Sequence, residues 1–332
     1  MKLVTFCPPS GEPRAGALVD DGRAIVDLAA AHELAFGEPA EALGQVLAII
    51  EAGDDALDRA YETMKKAPSD SAYARSKVEL LAPVPRPPQM RDCLCFELHL
   101  VQAFNAARKL KASRSPDPAA ALADMERTGV LRVPSTFYEQ PIYYKCNRFA
   151  VVGTDADVIW PDYSQVLDFE LEFGCFIKRP AKDVPKEKAR DYIFGYTIFN
   201  DFTARDAQTA EMGGQLGPAK GKDFDTANAM GPCLVTADEL KDPYSLAMIA
   251  RVNGAEWGRG RSDTMHWSFE DLIAWISRSE TIYPGEFLGS GTVGNGCGLE
   301  QMRFLEPDDV VELEVEGIGI LRNTVRKPSQ SG

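Results

Sequence analysis

No stretch of this chain stays apolar long enough to cross a bilayer, so a transmembrane helix is not expected. Positive charge is in deficit. Thirty-six Lys and Arg face 50 Asp and Glu, for a formal net charge of −14, which argues against nucleic acid as a partner. Metal-site cysteine spacing is missing too. The seven cysteines fall at irregular intervals, and the Cys93-x-Cys95 pair has no zinc spacing and no second pair to complete it. They read as buried, inert thiols in a reduced compartment. The opening MKLVTFCPPSGEPR meets proline and charge at once, which reads against a signal peptide and for a cytoplasmic location. Internal repeats are absent. Histidine is scarce, limited to His32, His99 and His266.

What is present suits a soluble globular protein, with 45% apolar and 26% charged residues over 332 positions. The stretch AGALVDDGRAIVDL holds two alternating runs joined at Asp20-Asp21-Gly22, a hairpin signal. Residues 40 to 66 carry a helical period. The segment APVPRPP, with Pro83, Pro85, Pro87 and Pro88, is a stiff linker. It predicts a small N-terminal α+β domain over residues 1–82 and a second domain over 83–332. The second domain reads as many short strands with few helices, the clearest helix starts being 235–240 and 268–278. Ser268 with Asp271 resembles an N-cap with an acid in the first turn. The run SRSPDPAA over 113–120 reads as a surface loop or insertion, and residues 100–140 suit either a lid or a passive insertion.

The stretch SQVLDFELEFGCFI, residues 164–177, alternates acids with apolar residues and then turns wholly apolar. Period two makes it a strand with Asp168, Glu170 and Glu172 on one face. Neighbours at i and i+2 sit about 7 Å apart, close enough to repel unless something positive lies between them. Two readings stand. The acids form the solvated face of an edge strand, or they hold a cation. The buried look of GCFI, and Asp201 at the end of another apolar run in YTIFNDFTARDAQ, point to the second, because Mg²⁺ and Ca²⁺ take oxygen ligands from separate segments. Asp168 and Glu172, about 13 Å apart on a straight strand, are too distant for one ion to hold all three acids.

His99 lies in RDCLCFELHLVQAF, behind an Arg91-Asp92 pair. In GPAKGKDFDTANAMGP, Lys222 beside glycine-rich backbone suits an oxyanion, or else a surface turn. The order of a P-loop is absent, and Asp223 and Asp225 argue against phosphate. The glycine-rich GSGTVGNGCGLE, 289–300, lets backbone approach a ligand, but no strand–GxGxxG–helix context makes it a dinucleotide motif.

Taken in order, RDCLCFELH, LDFELEFG, FNDFTARDAQ, LGPAKGKDFDT and SGTVGNGCGLE resemble the fumarylacetoacetate hydrolase family over roughly residues 85–325. The N-terminal unit resembles the accessory domain of its longer members. The resemblance implies a mixed α/β, mainly β fold, a mixed β-sandwich roll that is usually homodimeric. It implies metal ligands at Glu170, Glu172, Asp201 and Asp92, for Mg²⁺ or alternatively Ca²⁺ or Mn²⁺. His99 and Glu300 correspond to a water-activating dyad. Lys222, Arg205 and Gln208 correspond to groups that hold substrate and stabilise an oxyanion. Thr226 and Thr292 correspond to a metal-side and a substrate-side hydroxyl, and Tyr144 and Arg108 to substrate contacts. The reaction implied is hydrolysis of a C–C bond in a 1,3-diketo acid, such as an acylpyruvate, in aromatic-compound catabolism. A hydratase, decarboxylase or tautomerase of a 2-oxo acid is the alternative, and a non-catalytic binding module on the same fold a further one. Leu94 and Met212 stand where well-known members carry tyrosines, which implies a more apolar pocket and another substrate than fumarylacetoacetate. Gln102 replaces the acid that shorter members carry three residues after the histidine, which leaves Glu300 as the dyad acid.

Overall fold

The computed structural model describes residues 1–9 and 11–328. The alternating runs near the N-terminus form the expected hairpin. Strands Arg14–Val19 and Ala24–Asp27 pair antiparallel, and Asp20, Asp21 and Gly22 turn the chain with positive φ. The helical period of 40–66 is split into two helices, Val46–Ala52 and Asp54–Lys66, by Gly53, whose φ of 75° no α-helix accommodates.

Twelve strands make the larger sheet. Its order is 72–74, 24–27, 14–19, 2–7, 228–236, 193–201, 171–177, 287–289, 90–93 and 143–145, with 79–80 also on 2–7 and 151–152 also on 228–236. The N-terminal strands continue the sheet because Lys2 and Leu3 pair with Val235 and Leu234. A five-stranded sheet, ordered 255–261, 247–252, 310–315, 319–326 and 157–159, packs on one face. Ile198, Cys233 and Val235 meet Met248, Leu313 and Leu321 there in one apolar cluster. On the opposite face Phe176, Phe194, Phe199 and Phe287 pack with Leu28, Val46 and Ile49 from the N-terminal helices. The fold is mixed α/β and mainly β.

The helix starting at Ser268 forms as expected. Ser268 and Asp271 complete a capping box ahead of Phe269–Ile276. A helix over 235–240 does not form. Strand Asn228–Thr236 takes its first two residues, with Val235 buried and paired to Lys2 on one side and Tyr196 on the other, and residues 237–240 only turn. Sheet pairing at the centre of the fold outweighs local helix propensity. The 113–120 run is a loop only to Asp117, which caps helix Pro118–Thr128 by accepting from the Ala120 N–H at 3.0 Å. Among the described residues no helix is long and apolar enough to cross a membrane. All seven cysteines are free; six are buried and Cys7 is half-buried.

Candidate active site

The register of five adjacent strands builds the site. Glu172 of strand Leu171–Ile177 faces Phe199 across the ladder, so Asp201, two residues on in strand Ile193–Asp201, lies on the same face. Gly174 pairs with Gly289, Gly289 with Asp92 in a parallel pairing, and Asp92 with Tyr144, which puts these on that face as well. Asp92, Glu172 and Asp201 thus converge, each offering an oxygen within 4.8 Å of the other two. Gly289 fills the gap between them because it has no side chain. A Cβ there would stand 2.6 Å from Asp92 Oδ1 and 3.4 Å from Glu172 Oε2.

The stretch LDFELEF is not one strand. Leu167–Asp168 pairs with Thr203–Ala204, Glu170 forms a lone bridge to Cys297, and only from Leu171 does the chain join the large sheet. All three acids are buried, which removes the reading of a solvated face. They have separate fates. Asp168 is a clamp. It receives Arg205 Nε at 2.8 Å, the N–H groups of Gly298 and Leu299 at 2.8 and 2.9 Å, and that of Phe169 at 2.9 Å. Glu170 takes Lys222 Nζ at 2.5 Å and Arg205 Nη1 at 2.8 Å. Glu172 faces the other acids.

The electrostatics follow from those partners. Burial alone would raise the Glu170 carboxyl, but Lys222 and Arg205 outweigh it and hold it down at about 2. Burial, then the like charges of Asp92 and Asp201, push Glu172 well above the usual carboxylate range. Burial likewise lifts Asp92 to about 6 and Asp201 to about 7, although Lys222 pulls both down. Lys222 Nζ also reaches Asp201 Oδ2 at 2.5 Å, and the Tyr144 hydroxyl donates to the same oxygen. Among the described residues, Glu172 Oε2 and Asp201 Oδ1 are buried with no hydrogen-bond partner. Clustered carboxylates with unpartnered oxygens and raised pKa values are the donor set of a hard divalent cation, so the residues present fit one.

The structure brings His99 and Glu300 together. His99, in the first turn of helix Glu97–Ala112, sets Nδ1 2.8 Å from Glu300 Oε1. Glu300 is held in turn by a capping box, its Oε2 accepting from the Cys297 N–H at 3.2 Å. With the carboxylate accepting from Nδ1–H, Nε2 keeps its lone pair free for a proton. Asp168 ties this region to Arg205, and the Glu170–Cys297 bridge ties it to the acids.

The remaining predicted residues divide. Gln208 Oε1 accepts from Arg205 Nη1 at 3.1 Å, and Thr292 Oγ1 stands 3.4 Å from Glu172 Oε1, so both join the cluster. Arg108 does not. It donates to the Leu131 carbonyl at 2.6 Å and binds helix 97–112 to the segment after helix 118–128. Thr226 is also elsewhere, its hydroxyl accepting from the Ile159 N–H at 2.8 Å. Leu94 is half-buried, while Met212 turns outward with 55% of its surface exposed. The sequence reading did not find the Asp168 clamp or the place of Cys297. The only signal for the latter is the Cys-x-x-Glu spacing of a capping box at 297–300.

The family model described as fumarylacetoacetate (FAA) hydrolase C-terminal matches residues 112–326. The chain belongs to the fumarylacetoacetate hydrolase family. An oxaloacetate tautomerase of Xenopus laevis, mitochondrial by its name, is 31% identical over 98% of this chain and 90% of its own length. Two solved structures share the fold across 99% of this chain and 100% of their own. One is a fumarylacetoacetate hydrolase from Exiguobacterium antarcticum, with TM-score 0.72 at 22% identity. The other is a maleylpyruvate hydrolase from Sphingobium sp. SYK-6 in complex with manganese(II) ion and pyruvate, with TM-score 0.70 at 19% identity. The names of these similar proteins cover both hydrolysis and tautomerisation.

Proposed function

We propose that this protein is a divalent-cation-dependent hydrolase that cleaves the C–C bond of a 2,4-dioxo acid of the acylpyruvate type. The observation that carries the reading is the convergence of Asp92, Glu172 and Asp201 around unpartnered oxygens, with fixed cations on one side and the His99–Glu300 pair joined to it through the Asp168 clamp. Asp92, Glu172 and Asp201 would hold the cation, which would supply Lewis-acid stabilisation of negative charge on a dicarbonyl substrate. The all-oxygen donor set suits Mg²⁺, with Mn²⁺ and Ca²⁺ as alternatives.

The side chains do the rest. His99 Nε2 takes a proton from water, and Glu300 holds the ring and stabilises its positive charge. Lys222 and Arg205 bring fixed positive charge to the developing oxyanion, and Gln208, Thr292 and Tyr144 orient the substrate. Arg108 contacts substrate only on leaving the Leu131 carbonyl. Residues 83–332 carry the chemistry, residues 1–82 buttress the sheet, and the working form is a homodimer.

A second reading is favoured by one observation, the tautomerase likeness over nearly the whole chain. There His99 moves a proton between carbon and oxygen of a 2-oxo dicarboxylate, and no water attacks. Loss of the enol absorbance of acetylpyruvate, fumarylacetoacetate and oxaloacetate, with and without Mg²⁺, separates the two. Two acid fragments from a dioxo acid, lost in His99→Ala, support the hydrolase. Decay of the oxaloacetate enol with carbon count unchanged and no cleavage of the dioxo acids overturns it for the tautomerase.

A further inference from the structure

Cys297 has no part in the reaction above, yet it stands beside the dyad. Its Sγ, a ring nitrogen of His99 and a carboxylate oxygen of Glu300 all lie within 4.8 Å of one another. Two separate pieces of chain supply them: the start of helix Glu97–Ala112, and the end of the glycine-rich segment, where Cys297 caps the short helix Gly298–Gln301 that carries Glu300. The backbone there has no slack. A Cβ on Gly296 would stand 2.4 Å from the Val293 carbonyl oxygen, and one on Gly298 would stand 2.0 Å from that of Arg303. Among the described residues Cys297 is the only cysteine grouped in this way with other potential ligands.

The donors are one sulfur, one imidazole nitrogen and one oxygen. That set differs in kind from the all-oxygen cluster of Asp92, Glu172 and Asp201. Thiolate and imidazole select zinc-like and cadmium-like ions, whereas Mg²⁺, Ca²⁺ and Mn²⁺ keep to carboxylates. Ligand atoms this close reach the roughly 2.0–2.3 Å of a tetrahedral zinc site with side-chain movements of about an ångström. We propose that His99, Cys297 and Glu300 form a second, inhibitory site for a soft divalent cation of the zinc–cadmium class. Binding releases the thiol proton to solvent and takes up the imidazole nitrogen and the carboxylate oxygen that the dyad uses. The inhibition rests on the proposed role of that dyad; the binding does not.

The probe is Cd²⁺ added to the full-length protein in excess Mg²⁺, followed by the ultraviolet thiolate-to-cadmium charge-transfer band. Oxygen ligands give no such band, so Cd²⁺ entering the acidic cluster is silent. The band should saturate at one equivalent in wild type, vanish in Cys297→Ser, and need about tenfold more Cd²⁺ in His99→Ala. Serine remains an N-cap, and a circular dichroism spectrum matching wild type confirms that the variant folds. Turnover should fall over the same Cd²⁺ range in wild type and persist in Cys297→Ser. A band that survives in Cys297→Ser, or none in wild type, overturns the site. Turnover unaffected at saturating band overturns the inhibition. If no substrate of the panel turns over, the functional reading fails while the band still decides the site.

Discussion

Glu170 and Glu172 are the same residue type, two positions apart and both buried, yet their surroundings are opposite. Glu170 lies between Lys222 and Arg205 and is held fully ionised. Glu172 lies between Asp92 and Asp201 and resists ionisation. Glu170 is neutralised from within the chain, and with Asp201 it fixes Lys222 in place. Glu172 has no cation of its own among the described residues, and its free Oε2 marks where one would come from outside. What a buried carboxylate does is set by which strands bring it partners, not by its place in an alternating run.

Substitutions at the two positions should therefore part company. Glu170→Gln leaves Lys222 and Arg205 buried with too little negative charge, and chemical denaturation should show a loss of about 3–5 kcal/mol. A loss below about 1 kcal/mol would break the contrast. Glu172→Gln removes one of three buried carboxylates that repel one another. Unfolding of the metal-free protein should change by less than about 1 kcal/mol, while Mn²⁺ affinity by titration calorimetry falls about 100-fold. Unchanged affinity would move the cation away from these acids. Gly289→Ala adds no charge but pushes a Cβ against Asp92 Oδ1, so Mn²⁺ binding should weaken about tenfold. Thr292→Val removes only a long contact of 3.4 Å to Glu172. Its effect on the same titration should be the smallest, about 0.5–1 kcal/mol.

The hairpin around Asp20-Asp21-Gly22 and the helix capped by Ser268 were readable because their signals are local: a turn between alternating runs, and a cap ahead of an apolar period. The meeting of Asp92, Glu172 and Asp201 was readable only from several motifs taken together, since no single one specifies strand neighbours. The break at residues 169–170 was not readable. An alternating pattern tells which way side chains point but not where a chain leaves one partner for another, and here Leu167–Asp168 pairs with Thr203–Ala204 instead of continuing along the sheet. The missing helix at 235–240 has the same cause, a pairing with Lys2 from the far end of the chain. Arg108 matched a family position, but its partner, the Leu131 carbonyl, belongs to a segment whose path the sequence does not predict.

The parallel pairing of the 287–289 strand with the 90–93 strand also bears on how this protein folds. Asp92 takes the N–H of Gly291, 199 positions further along the chain, and between them come Glu172 and Asp201. No local nucleus can hold such a set, because closing loops of that size precedes any reward from the contacts they make. The acids should then assemble late, after the transition state of folding. A bound cation should leave the refolding rate nearly unchanged and act almost wholly by slowing unfolding, so the loaded protein would owe its persistence to kinetics as much as to equilibrium.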